Sequence, residues 1–364
     1  MRHPDYPFWS CISLVVLLLP APWHWKARNA PLVCLIGWLW LTHFVTLVNT
    51  LVWADNFADS APIWCDISAR IVMLLLYTVP LCSLAQMRRL ASVASPRRKL
   101  VLDQPRKRYR YAEELFLCVV CPLLMLPVNY TVQGHRYDIA ETWGPMIPSV
   151  ISWPTIVIRF ILPTLIACAS LFYAALAMRW FFVRRAQFRS ILSGSGLTTG
   201  VYLRLLGLAI TDSILLMFGT VFNLLILFVV HGADIQPTSS WDSIHSNFGL
   251  VSQFPEEMFN TTVTVDVPFY LAVLYAISVF AFFSFGEDAV GQYLKVWRFI
   301  KRALNVRQKE AVDIPTLGST IVTLTGAAWE EGPQIDRRVS KDDRHSEFSH
   351  VGSGIAVTVE RSVV

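Results

Sequence analysis

The chain has 364 residues, of which 54% are hydrophobic, 13% aromatic and only 16% charged, with a formal net charge of +5 and a mean hydropathy of +0.47. A soluble domain carries about 25% charged residues, so the shortfall is too large for one water-soluble globule. Several apolar runs of about 18 residues or more read as membrane spans and exclude a cytosolic enzyme, a secreted disulfide scaffold and a disordered chain. The positive charge does not argue for nucleic acid, because the basic residues sit between apolar runs, where they set orientation in a membrane.

In chain order, seven spans are predicted at residues 6–22, 31–53, 67–87, 113–130, 150–182, 202–230 and 268–285. The segment 11–21, Cys-Ile-Ser-Leu-Val-Val-Leu-Leu-Leu-Pro-Ala, also has the length of a signal-peptide core. The run 31–53 holds no Asp, Glu, Lys or Arg and carries Trp38, Trp40 and Trp53. After the third span come Arg88, Arg89, Arg97, Arg98, Lys99, Arg106, Lys107, Arg108 and Arg110, with Pro96 and Pro105 breaking any long helix. That loop is a topology determinant beside anionic lipid and also a candidate docking surface. Pro80, Pro122, Pro127 and Pro163 offer kinks inside spans. The fifth span runs on into a basic extension with Arg184, Arg185 and Arg189.

Residues 287–304 repeat Val290, Tyr293, Leu294, Trp297, Ile300 and Leu304 at helical spacing, with Lys295, Arg298, Lys301 and Arg302 at other positions. This predicts an amphipathic eighth helix on the inner leaflet. From 305 to 364 no periodic apolar face remains, which predicts a mostly disordered cytoplasmic tail. Within it, Arg337-Arg-Val-Ser340 has the form of a basic-directed phosphorylation site at Ser340.

Charge decides the orientation. With the N-terminus outside, only Arg2, Arg70, Arg136 and Arg159 of the 31 Lys and Arg fall at outer positions. Basic residues favour the cytoplasmic side, so the seven-span, N-out arrangement fits, and cleavage near residue 22 would put the most basic loop on the wrong side. Two sequons, Asn129-Tyr-Thr131 and Asn260-Thr-Thr262, fall in outer loops and mark Asn129 and Asn260 as possible glycosylation sites. Six of the seven cysteines lie inside apolar runs, where Cys behaves as a small hydrophobe. Cys65 at a loop border has no outer partner for a disulfide.

No enzyme constellation emerges: there is no HExxH, GxSxG or phosphate-binding loop, and no cofactor or metal is expected. None of the seven lysines lies inside a span, which excludes a retinal Schiff base. Asp212 is the one acid deep in a span, thin support for an ion transporter. His43, Asn49 and Asn223 fit interhelical hydrogen bonds. Arg70 and Arg159 should face the bundle interior or the outer water, within reach of Asp66, Asp138 or a ligand. The residues alone thus reach an all-α membrane protein, a seven-helix bundle whose basic inner surface favours a receptor over a transporter.

Several loop sequences carry more. They are Pro22-Trp-His-Trp-Lys-Ala-Arg-Asn29, Trp53-Ala-Asp-Asn56, Ala61-Pro-Ile-Trp-Cys-Asp-Ile67, Gly134-His-Arg-Tyr-Asp-Ile139, Tyr202-Leu-Arg-Leu205 and Phe283-Ser-Phe-Gly-Glu-Asp288. Together, over roughly residues 1–304, they resemble the fungal mating-pheromone receptors of the lipopeptide-sensing, a-factor type, a class of G-protein-coupled receptors, and among these the mushroom mating-type receptors. Members of that family often carry a cysteine in the second outer loop, whereas residues 128–150 here contain none.

The resemblance implies a farnesylated, methyl-esterified peptide pheromone as ligand, a heterotrimeric G protein as partner, and a multi-pass position in the plasma membrane with the N-terminus extracellular. Candidate ligand contacts are Trp64, Asp66, Arg70, His135, Arg136, Tyr137, Asp138 and Arg159. Candidate G-protein-facing residues are Arg88, Arg89, Arg97, Arg98, Lys99, Arg184, Arg185 and Arg189. The competing readings are a seven-span transporter working through Asp212 and an orphan receptor of the same fold without a pheromone response.

Overall fold

In lipid every backbone polar group must find its partner inside the protein, so each apolar run is driven to form a helix. A computed structural model describes residues 3–95, 104–183, 198–231, 240–255 and 262–284, together with Arg298 and Lys301. Among the described residues seven helical segments are long and apolar enough to cross a membrane: Asp5–Lys26, Ala30–Val52, Pro62–Ala94, Arg108–Tyr130, Trp153–Val183, Thr199–Val229 and Asp266–Ser284. The chain divides into two units, Met1–Asn305 and Val306–Val364, and only the first contains described residues. The expected tail 305–364, Ser340, Asn260, Arg97, Arg98, Lys99, Arg184, Arg185 and Arg189 lie outside the described residues, as does the 287–304 helix apart from Arg298 and Lys301.

Two spans differ from their expected form. The first is broken at Leu19 and Pro20 into helices Asp5–Leu18 and Ala21–Lys26. The third is 33 residues long, Pro62–Ala94, and not the 67–87 expected. At about 1.5 Å per residue it far exceeds a hydrocarbon core of about 30 Å. Its surplus turns carry Asp66 at one end and Arg88 and Arg89 at the other.

The third span is central, packing against the second, fourth, fifth and sixth, while the seventh packs against the first, second and sixth. The fifth span offers a buried stripe of small residues, Ala167, Ser170, Ala174 and Ala177, which lets helix backbones approach closely. On the sixth span Ile214, Phe218, Val221 and Leu225 are exposed at helical spacing, an apolar stripe of the kind that faces lipid. Asp212, on the same helix, is 1% exposed and accepts hydrogen bonds from Ser83 Oγ (3.4 Å) and Ser278 Oγ (3.2 Å). The acid therefore ties the third, sixth and seventh spans together.

The prolines shape two spans through the hydrogen bonds they cannot make. Proline lacks an N–H and crowds the carbonyl one turn back. Ahead of Pro122 and of Pro163 the helix widens into a π turn, Phe116–Val120 and Val157–Ile161. Each turn leaves a carbonyl without its intrahelical donor, and another span supplies one. Trp38 Nε1 donates to Cys118 O at 2.9 Å, and Tyr77 Oη donates to Ile158 O at 3.1 Å.

The loops at one end of the bundle form a small sheet that the all-helical reading did not include. Strands β1 (Tyr137–Ala140), β2 (Gly144–Met146) and β3 (Val251–Phe254) lie in the order β2-β1-β3. β1 pairs antiparallel with β2, with Ile139 opposite Pro145, and parallel with β3, with Asp138 opposite Ser252. Gly144 has φ of +87°, and a Cβ there would lie 2.9 Å from Asn49 Cβ. Only glycine lets the hairpin sit this close to the second span.

Trp38→Phe keeps the ring but removes the donor to the Cys118 carbonyl. A buried acceptor left without a partner costs about 1–3 kcal/mol. The expected outcome is a lower Tm of the detergent-solubilised protein, measured against wild type by thermal unfolding.

Candidate ligand-binding site

The bundle holds a cavity of about 360 Å³ at the end capped by the sheet. This lies within the range of about 300–1,000 Å³ typical of small-molecule sites. Its walls come from the second, third, fifth, sixth and seventh spans and from the β1–β2 hairpin, which contributes Trp143 and Met146. Most of the lining is aliphatic or aromatic, including Val72, Leu76, Phe160, Leu216 and Phe269. The hairpin is held by aromatic packing. Trp143 meets Tyr6 and Phe269 edge-on at 5.7 and 5.8 Å. The first and seventh spans are clasped beside it, since Tyr6 Oη donates to Asp266 and Tyr270 Oη donates to Asp5.

Arg159 is the one cation among the cavity's lining residues, and no Asp or Glu lines it. The π turn Val157–Ile161 places Arg159 there, in keeping with the frequent use of such turns at functional sites. Its Nε donates to Asn129 Oδ1 at 3.2 Å. Asn129 Nδ2 in turn donates to Tyr77 Oη at 2.9 Å and to Met125 O at 2.9 Å. Tyr77, Asn129 and Arg159 thus form one polar chain across the third, fourth and fifth spans. It also answers the sequon at Asn129: the residue is 2% exposed, and the nitrogen that would carry a glycan is bonded inside the bundle. The glycosylation expected at Asn129 is therefore corrected to a structural role.

The other seven candidate ligand residues lie outside the cavity lining, in a network at its rim. Asp66 accepts from Arg70 Nη1 at 2.9 Å and from Arg136 Nη2 at 2.6 Å. One carboxylate therefore serves two guanidinium groups. Trp64 Nε1 donates to Asn49 Oδ1 at 2.7 Å, joining the second and third spans. Tyr137 is fully buried and its hydroxyl donates to Asp59 Oδ1 at 3.0 Å. His135 bonds Asp138 within the hairpin, and Ser252 Oγ lies 3.4 Å from the same ring nitrogen. Burial raises the Asp138 carboxyl above its usual range, with the His135 and Ser252 hydrogen bonds opposing the shift. Cys65 is buried and free.

Sequence reasoning favoured an interhelical hydrogen bond for His43. The structure shows both that bond, Nε2 to Ala272 O at 3.2 Å, and a place for His43 on the cavity wall beside Thr42 and Thr46. Spacing along one helix gives no sign of which face borders a void.

A family model described as pheromone A receptor (STE3) matches residues 6–303. The chain belongs to the pheromone A receptor family. The pheromone B beta 1 receptor of Schizophyllum commune is 33% identical over 311 residues, covering 84% of this chain and 55% of the relative. The pheromone B alpha 3 receptor of Schizophyllum commune (strain H4-8 / FGSC 9210) is 34% identical over 326 residues, covering 87% of this chain and 51% of the relative. Pheromone receptor 1 of Mycosarcoma maydis is 28% identical over 356 residues, covering 96% of this chain and 98% of the relative. The chain spans about half the length of the Schizophyllum commune relatives it matches.

At the opposite end of the bundle, this family member ties down two of the arginines expected to face a partner. Arg88 pairs with Glu113, and Arg89 Nη1 lies 3.5 Å from Glu114 and 3.3 Å from Asn29 Oδ1. The Arg89 side chain is only 13% exposed, so it joins the third span to the fourth and to the turn after the first. Arg110 approaches the same Glu114 at 3.8 Å.

Peptide mass spectrometry of the protein purified from a glycosylating host should find Asn129 unmodified. A glycan at that residue would contradict its burial.

Proposed function

We propose that the chain is a plasma-membrane receptor with an extracellular N-terminus that binds a prenylated peptide pheromone and activates a heterotrimeric G protein. On this reading residues 1–304 form the receptor domain and 305–364 a cytoplasmic tail with Ser340 as a phosphorylation site. Family membership supports a pheromone as the ligand class, and the distribution of Lys and Arg supports the orientation.

The observation that carries the reading is the cavity. It is apolar, it sits at the end opposite the basic loops, and it is roofed by a hairpin whose rim is polar and charged. A prenyl chain gains free energy in proportion to the apolar area it removes from water, and the charged rim suits the peptide portion. Asp66, Arg70, His135, Arg136 and Asp138 are the rim contacts proposed for that portion, with Trp64 and Tyr137 fixing the rim from beneath and Arg159 inside the cavity. Ligand that binds one helix arrangement more tightly shifts the population toward it. The basic inner loops, with Arg97, Arg98, Lys99, Arg184, Arg185 and Arg189, then engage the G protein, while the tied Arg88 and Arg89 hold the third and fourth spans together.

The test is a reporter assay in a cell that has a G-protein mating pathway and no receptor of its own. Farnesylated, methyl-esterified peptides are added, with unprenylated peptides as controls. A response confined to a prenylated peptide supports the proposal; silence to the whole panel, with surface expression confirmed, overturns it. Thr46→Phe, which fills the cavity from the second span, should lower the potency of the active peptide at least tenfold while surface expression persists.

A further inference from the structure

The segment between the sixth and seventh spans reaches the end of the fourth. A short helical turn, Trp241–His245, begins after Ser240, whose Oγ accepts from Ser243 N at 3.2 Å. Trp241 and His245, four residues apart, share a face of this turn and stack with their ring centroids 4.0 Å apart. Both rest on Tyr130, the last residue of the fourth span, at 5.9 and 5.0 Å. Phe248 closes the group at 4.9 Å from the same tyrosine. The last carbonyls of a helix have no intrahelical donor, and His245 Nε2 lies 3.1 Å from one of them, Tyr130 O.

This aromatic group is not core. Trp241 is 55% exposed, Leu250 52% and Tyr130 37%. On the fourth span Phe116, Val120, Leu123, Pro127 and Tyr130 are exposed at steps of three and four residues. That spacing makes one apolar stripe along the helix, of the kind that faces lipid, and Tyr130 is its last member. Trp153, which opens the fifth span at the same end, is 54% exposed. The rings on Tyr130 thus extend a lipid-facing stripe at the depth where hydrocarbon gives way to headgroups. Trp and Tyr are enriched at that depth, because each joins an apolar ring to a polar N–H or O–H. Asp242, Ser243, Ser246 and Asn247, which alternate with the aromatics, are exposed as well. A segment so polar and so short of regular backbone bonds stays out of the hydrocarbon.

We infer that residues 241–250 are an interfacial anchor, seated in the phospholipid headgroup region of the bilayer leaflet at this end of the bundle, with Trp241 and Leu250 inserted beside the end of the fourth span. The apolar area of these side chains leaves water on insertion, which favours the seat. A soluble protein or a saccharide resting on the same rings would itself have to lie in the bilayer interface, since the rings end a lipid-facing stripe. Strand β3 starts at the next residue, Val251, and pairs with β1 of the hairpin that roofs the cavity. The bilayer therefore holds one edge of the roof, and such an anchor serves any occupant of the cavity.

The test uses the full chain in phosphatidylcholine nanodiscs, with 5-fluorotryptophan at its 13 tryptophans, read by fluorine NMR. Trp241→Phe assigns the Trp241 resonance, and Trp241→Tyr serves if that variant does not fold. A nitroxide carried near the headgroup end of the lipid acyl chain should broaden this resonance about twofold or more, while a water-soluble gadolinium chelate leaves it sharp. Broadening by the lipid nitroxide that exceeds broadening by the chelate supports the anchor. Equal or weaker broadening by the lipid nitroxide overturns it: a resonance broadened by the chelate faces solution, and one touched by neither agent is covered by protein, such as a second copy of the chain.

Discussion

A helix in lipid has nowhere to put a carbonyl that its own backbone does not bond. This constraint, imposed at Pro122 and Pro163, organises the centre of the molecule. Each proline removes a donor, each helix widens by a π turn, and side chains from other spans complete the bonding. Trp38 fixes the second span against the fourth in this way. Tyr77 does more, because its hydroxyl also meets Asn129, which holds Arg159. The geometry that satisfies one orphaned carbonyl is therefore the geometry that aims a guanidinium into the cavity.

Around this centre the two ends of the bundle are held by different means. The end beside the cavity is held by aromatic packing of Tyr6, Trp143 and Phe269 and by the sheet that joins two loops. The opposite end is held by ion pairs, Arg88 with Glu113 and Arg89 with Glu114. Asp212 spans the middle with bonds to Ser83 and Ser278. An acid that looked like thin support for transport is here a neutral-donor junction between three helices. These three ties are the places where a change of helix arrangement would have to be accommodated, since packed interiors switch between discrete states.

The rim and the cavity divide the polar groups at this end of the bundle. Most residues singled out as ligand contacts satisfy one another: two arginines share Asp66, His135 takes Asp138, and Tyr137 is buried against Asp59. Among the cavity's lining residues, His43, Thr42 and Thr220 carry buried polar atoms without a partner among the described residues. The rim charges are therefore used in building the roof over the cavity.

The sequence by itself determined the apolar spans and their number, and it carries the charge asymmetry on which their direction is proposed. A run of about 20 apolar residues has one stable form in lipid, and the basic residues between runs are counted without knowing any contact. The sequence also marked the prolines, though not which side chains would answer them. Only the tertiary structure decided the rest. The sheet escaped notice because its strands are three or four residues long and β1 pairs in parallel with a segment more than a hundred positions away, too short for a period and too distant for a turn signal. Asn129 carried a glycosylation motif, yet its burial depends on Tyr77 and Arg159 from other helices. His43 read as a packing residue because the period of a helix shows which residues share a face, not whether that face borders a neighbour or a void. Pairing and emptiness are properties of segments brought together, and they come into being only when the helices pack.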